Sequence, residues 1–161
     1  MALKPMIFQT PDVAQLLKAS RFTLNRLMLR CKIQASYGSR GGRGIRLIYT
    51  VEDVAKLALA YWLFRSGLRT RAIRQVLDNK QVAKLSNSLT GIEALQKAGA
   101  QLGFLVTWRP AKGREASQEV KLEKTFAGVQ QILESVPEYG FVVIPIGRLI
   151  GELATTLPMR R

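Results

Sequence analysis

A chain of 161 residues with 47% hydrophobic content has room for one ordinary domain or two small ones and enough apolar side chains to bury a core. It holds no histidine and one cysteine, Cys31, which rules out an internal disulfide and removes the usual ligand set of a zinc site. No apolar run approaches the roughly 18 residues of a membrane span and no secretory pattern opens the chain, so the expectation is a cytoplasmic protein with no membrane partner and no cofactor.

The formal charge is +14, and its distribution is uneven. Residues 1–80 carry 15 basic and 4 acidic side chains, whereas residues 81–161 carry 10 and 7. The positive field therefore belongs to the first half, where it would attract a polyanion and gain affinity by releasing condensed counterions.

In chain order, Thr10-Pro11-Asp12 reads as a helix start, with Thr10 as the cap and Pro11 in the first turn, where no N–H is needed. Val13, Leu16 and Leu17 then share one face. Lys18-Ala19 breaks the period and Ser20 caps a second helix, whose inward stripe is Leu24, Leu27 and Met28 or Cys31. Arg21, Asn25, Arg26 and Arg30 face away from that stripe. Two helices joined so tightly cross steeply, which describes a helix-turn-helix with its second helix free on the polar side.

The run Ser36 to Arg46 holds four glycines and three arginines and leads into the strand-favouring Ile45-Arg46-Leu47-Ile48-Tyr49. It reads as a hairpin, or wing, with a basic tip. Thr50 caps a third helix with Glu52 and Asp53 in its first turn and apolar residues Val54, Leu57, Ala58, Tyr61 and Phe64 at helical spacing. Ser66-Gly67-Leu68 ends it. Thr70 to Leu77 forms a fourth helix with Ala72, Ile73, Val76 and Leu77 inward and Arg69, Arg71 and Arg74 outward.

The order of these elements resembles the DNA-binding domain of the MerR-like winged helix-turn-helix family. The resemblance spans residues 7 to about 78 and is carried by Val13-Ala14, Ser20, Thr23-Leu24, Gly44-Ile45-Arg46-Leu47-Ile48-Tyr49-Thr50, Glu52-Asp53-Val54, Leu57, Ser66-Gly67-Leu68, Ile73 and Leu77. It implies a second helix that reads duplex DNA, a wing tyrosine, here Tyr49, that meets the DNA backbone, and action as a homodimer. The chain departs from the family in having Asn25-Arg26-Leu27 where Arg-Tyr-Tyr is common, and in lacking a long dimerisation helix directly after Leu77.

Beyond residue 78, Lys80 to Ser88 reads as a short helix and then a connection, and Ile92 to Leu102 as another helix. Phe104 to Trp108 is a β-favouring run, Ala111 to Ser117 a polar loop, and Glu119 to Glu123 an alternating, half-buried strand. Phe126 to Val136 has helical spacing, Gly140 to Ile144 is apolar enough to be buried on both sides or paired with a partner, and Ile146 to Leu157 is a last amphipathic helix.

The fold expected is mainly α with a small β component: a winged helix-turn-helix domain over residues 1–78, a connection over 79–90, and a small α+β domain over 91–161 for dimerisation or partner contact. Catalysis is poorly served, because histidine is absent and Cys31 has no base in its neighbourhood, so no enzyme is expected. Gly41-Gly42-Arg43-Gly44 lacks the Gly-Lys-Ser/Thr ending of a phosphate loop. Trp62, Trp108, Tyr139 and Phe141 read as core in preference to a ligand pocket.

The expected partner is double-stranded DNA, with a transcriptional regulator of prokaryotic type as the leading role. The expected contacts are Ser20, Arg21, Asn25, Arg26, Arg30, Arg40, Arg43, Arg46 and Tyr49. Arg can bridge guanine O6 and N7, and Asn adenine N6 and N7. Two rivals share the same features: an excisionase-like architectural or recombination factor, and a protein-interaction adaptor with a basic face.

Overall fold

Side-chain caps mark where several of the helices begin. In the structure, a computed structural model that describes residues 6–38, 46–110, 118–136 and 140–157, strand β1 (Phe8–Gln9) runs directly into helix α1 (Thr10–Leu16). Gln9 holds the cap position expected for Thr10, its N–H donating to the Asp12 carboxylate at 2.7 Å. Thr10 is the first helical residue, and its hydroxyl meets the Tyr49 hydroxyl at 3.3 Å. Helix α2 (Arg21–Cys31) begins as its sequence predicts, with Ser20 Oγ accepting from the Thr23 N–H at 3.1 Å.

Strand β2 (Ile48–Tyr49) pairs antiparallel with β1, and Ile48 also bridges to Tyr37. Residues 36–38 and 46–49 are thus two facing arms. At Gly38, whose φ is +92°, a Cβ would lie 2.6 Å from the Arg46 carbonyl oxygen, a position only glycine fills without strain. The expected wing tip, with Arg40 and Arg43, falls outside the described residues.

Helix α3 (Val51–Arg65) differs from its expected single apolar face. Leu57, Ala58, Ala60 and Leu63 are all fully buried, and Ala55 and Leu59 nearly so, although they point in different directions around the axis. The reason is tertiary. One side of α3 meets α2, and helix α4 (Thr70–Asp78) packs against both of them. On another side Ala55, Leu59 and Trp62 share a residual gap of about 10 Å³ with Leu85 and Leu89, of helix α5 (Lys80–Ser88) and its end, and with Ile146, Ile150 and Leu153 of the last helix, α8 (Ile146–Thr156).

The short helix expected within residues 79–90 is present as α5, and it packs on α3 and α4. One cluster of buried side chains runs from Phe8 through α2 and α3 to Leu157. Burying a leucine completely contributes about 1.5–3 kcal/mol, whereas the four ion pairs seen among the described residues are exposed or half-exposed and contribute at most about 1 kcal/mol each. Burial dominates.

The second half adds helix α6 (Ile92–Gln101), strands β3 (Phe104–Trp108) and β4 (Glu119–Glu123), helix α7 (Phe126–Ser135) and strand β5 (Val142–Ile144). The three strands form an antiparallel sheet in the order β4-β3-β5. Leu105 and Ile144 join the large core, with Leu122 packed against it. The opposite face places Val106 with Val129 and Ile132 of α7, in a second small cluster. The strand expected before Ile144 is present as β5, an edge strand with Val143 37% exposed; of the two expectations for it, burial on both sides is not met within the described residues. Among the described residues α7 is the helix on that face of the sheet, and it leaves Val143 of the last strand partly exposed.

Trp108 and Phe141 pack against each other in this second cluster, 5.9 Å between ring centroids, and Trp62 packs against the large core, while Tyr139 lies outside the described residues.

Helices α6 and α8 cross at backbone contact. A Cβ on Gly99 would come within 2.9 Å of the Gly151 backbone, and one on Gly147 would overlap the Leu102 carbonyl oxygen, whereas a Cβ on Gly151 would meet nothing within 4 Å. Gly147→Ala is expected to destabilise the chain by about 1–3 kcal/mol, as overpacking does in a closed core. Gly151→Ala should be neutral or stabilising by up to about 1 kcal/mol, because a helical glycine is replaced without a clash. Urea denaturation of the two variants beside the parent checks both.

Candidate nucleic-acid interface

The face of α2 that turns away from the core is set by its inward stripe. Leu24, Leu27, Met28 and Cys31 are buried, so at 100° per residue the opposite side falls to Phe22, Asn25, Arg26 and Leu29, with Arg21 and Arg30 at its margins. All six are exposed. Phe22, Asn25, Arg26, Leu29 and Arg30 line one shallow groove on the surface. The helix contains no acidic residue, and among the described residues no carboxylate lies within ion-pair distance of Arg21, Arg26 or Arg30.

Several contacts hold this helix in place. Lys18, in the left-handed region at φ 49°, makes the sharp turn between α1 and α2, and its carbonyl accepts from the Tyr61 hydroxyl of α3 at 3.4 Å. Ser20, expected to contact a ligand, has its Oγ committed to the Thr23 N–H and in contact with the Thr23 hydroxyl at 2.8 Å. It works as the cap. Lys32, also left-handed at φ 55°, ends the helix and stays exposed.

Tyr49 is corrected by its burial. The ring is 1% exposed, and its hydroxyl donates to Met28 Sδ at 3.1 Å while meeting Thr10 Oγ1 at 3.3 Å. A side chain enclosed between α1, α2 and the hairpin has no route to an external backbone, so Tyr49 clamps the three elements together. Arg46, by contrast, is exposed beside the hairpin arm and has no carboxylate partner among the described residues. Arg40 and Arg43 lie outside the described residues. Arg69, at the cap of α4, and Arg71, on it, are exposed, whereas Arg74 pairs with Asp78 at 3.6 Å.

The hairpin is pinned to α3 through one carboxylate. Asp53, nearly buried, accepts from the N–H of Thr50 and from the N–H of Ser36, both at 2.9 Å, while Thr50 Oγ1 accepts from the Asp53 N–H at 3.3 Å. The sequence showed the helix cap but not the second acceptor role, which depends on a residue 17 positions away.

Sequence reasoning also passed over Phe22 and Leu29, which are 76% and 66% exposed. The signal was present, since the two are seven residues apart and fall opposite the buried stripe.

Cys31 sits behind this face, its Sγ within 3.7 Å of the Thr70 carbonyl. Burial pushes the thiol up, against a smaller opposing pull from Arg74, so the neutral form is favoured and the residue serves as packing.

Comparison with known proteins finds no matching family model and no match among the curated proteins. Among the described residues no helix is long and apolar enough to cross a membrane.

Removing the Asp53 carboxylate leaves two backbone donors without an acceptor. Asp53→Ala is expected to cost about 1–3 kcal/mol of stability and to loosen the hairpin arm. Denaturant melts would give the first, and faster hydrogen exchange of the Ser36 amide, out of proportion to the global loss, the second.

Proposed function

We propose that this chain binds double-stranded DNA through a MerR-like winged helix-turn-helix formed by α1, α2 and the hairpin, and that it acts as a prokaryotic transcriptional regulator, working as a homodimer. One observation carries the reading: the outward face of α2 presents Arg21, Asn25, Arg26 and Arg30 to solvent with no carboxylate of the described chain occupying them. A helix of this width fits a major groove about 12 Å across, where arginine and asparagine can each make paired hydrogen bonds to a base edge.

The roles divide by chemistry. Asn25 and Arg26, on either side of the centre line of the face, read bases. Arg21, Arg30 and Arg46 lie further out and neutralise phosphates, with Arg40, Arg43, Arg69 and Arg71 as further cationic contacts. Dimerisation supplies the affinity that one 11-residue helix and one hairpin lack, by placing two copies on two half-sites. It is a binding protein in this reading, with no catalytic step.

Fluorescence anisotropy of labelled duplexes against salt tests the reading. Affinity should fall steeply, with a slope of about −0.9 in log–log form for each phosphate neutralised. Arg40→Ala combined with Arg43→Ala should weaken binding to all sequences alike and shallow the slope by about two. No duplex binding at low salt would overturn the proposal and assign the cationic face to an acidic protein.

Sequence reading is tested separately, on a site selected from a random pool. Asn25→Ala and Arg26→Ala should each lower the ratio of specific to random binding about tenfold, the worth of one well-placed base contact. An unchanged ratio in both variants would remove them from base recognition.

A further inference from the structure

The polar residues of α2 do not occupy the middle of its exposed face. Taking Phe22 as the zero of the helical wheel, Leu29 lies about 20° away, Arg26 and Asn25 lie about 40° and 60° to either side, and Arg30 and Arg21 fall near the edges. The centre line is apolar. Phe22 and Leu29 are exposed by 76% and 66%, in a groove whose other lining residues are Asn25, Arg26 and Arg30.

Two large apolar side chains held in water in the middle of a cationic strip need an occupant that is anionic at its margins and apolar along its centre. A DNA major groove is both, since phosphates line its rims and each thymine projects a C5-methyl group from its floor. No acidic residue of α2 opposes such an occupant, and the arginines at the edges match its two phosphate rims. Phe22 and Leu29 stand seven residues apart, about 10.5 Å along the helix axis, which spans about three base steps of a duplex.

Resting on the DNA-binding reading above, we infer that Phe22 and Leu29 are specificity determinants that each cover a thymine methyl, so that the preferred half-site holds two thymines about three base pairs apart, bracketing the bases read by Asn25 and Arg26. The hydrogen-bonding side chains then distinguish the inner bases, and the apolar pair selects thymine over cytosine at the two flanks. Both apolar residues have most of their surface in water, so truncating them leaves the buried stripe of Leu24, Leu27, Met28 and Cys31 untouched.

The test replaces thymine by deoxyuridine, which keeps every hydrogen-bonding group and deletes only the methyl. In a duplex selected from a random pool by the full chain, each thymine is substituted singly and affinity is measured by anisotropy at one salt concentration. Two positions about three base pairs apart should each lose about fourfold, the worth of one buried methyl group. In Phe22→Ala the loss should vanish at one of them and persist at the other, and in Leu29→Ala the reverse. Circular dichroism and thermal melts confirm that both variants fold.

If the parent chain binds the selected duplex but tolerates deoxyuridine everywhere, the inference fails while DNA binding stands. If both variants keep the parent's sensitivity, the methyls are met by other residues and the inference fails again. Absence of binding to any duplex at low salt would remove the DNA-binding reading and this inference with it, leaving the apolar line to a protein partner.

Discussion

Helix α3 is the constraint from which the rest of the molecule follows. Its buried residues point in nearly every direction around the axis, so it needs covering on all sides. Helices α2 and α4 cover one side, and α5 and α8 another, so elements from both ends of the chain are drawn onto one helix. The same helix clasps the two structures that carry the cationic surface. Tyr61 reaches the turn between α1 and α2, and Asp53 holds the hairpin arm at Ser36.

This arrangement separates the residues that position α2 from those exposed on its outer face. Tyr49, Thr10 and Met28 meet in the interior and fix α1, α2 and the hairpin relative to one another. Ser20 spends its hydroxyl on the start of α2. With position determined by buried groups, the outer side chains Arg21, Asn25, Arg26 and Arg30 stay exposed, and the three arginines have no carboxylate partner among the described residues. A rigid helix that presents unencumbered polar groups loses little entropy when it engages a ligand.

Much of the fold is legible in local chemistry. Ser20 and Thr50 announce their helices because a hydroxyl three residues before a free N–H is a local geometry that no distant contact alters. The alternation of Glu119 to Glu123 appears as predicted, with Val120 and Leu122 turned to the core. The extent of β5's burial was not legible, for the opposite reason. An apolar run reports that a strand has something to cover but not how many layers arrive to cover it, and here one face of Val143 meets solvent. Thr10 likewise lost the cap to Gln9 because Tyr49, distant in sequence, takes up its hydroxyl.

By itself the sequence determined the helix starts at Ser20 and Thr50, the strand alternation of β4, the inward stripe of α2 and hence which of its arginines face outward, since each depends on residues within a turn or two of one another. Tertiary structure alone decided that Tyr49 would be enclosed, that Asp53 would accept from Ser36, that α3 would be covered on several sides, and that α6 and α8 would touch at Gly99 and Gly147. Those outcomes depend on which surfaces meet after the chain has turned back on itself. Periodicity along a chain carries no record of that.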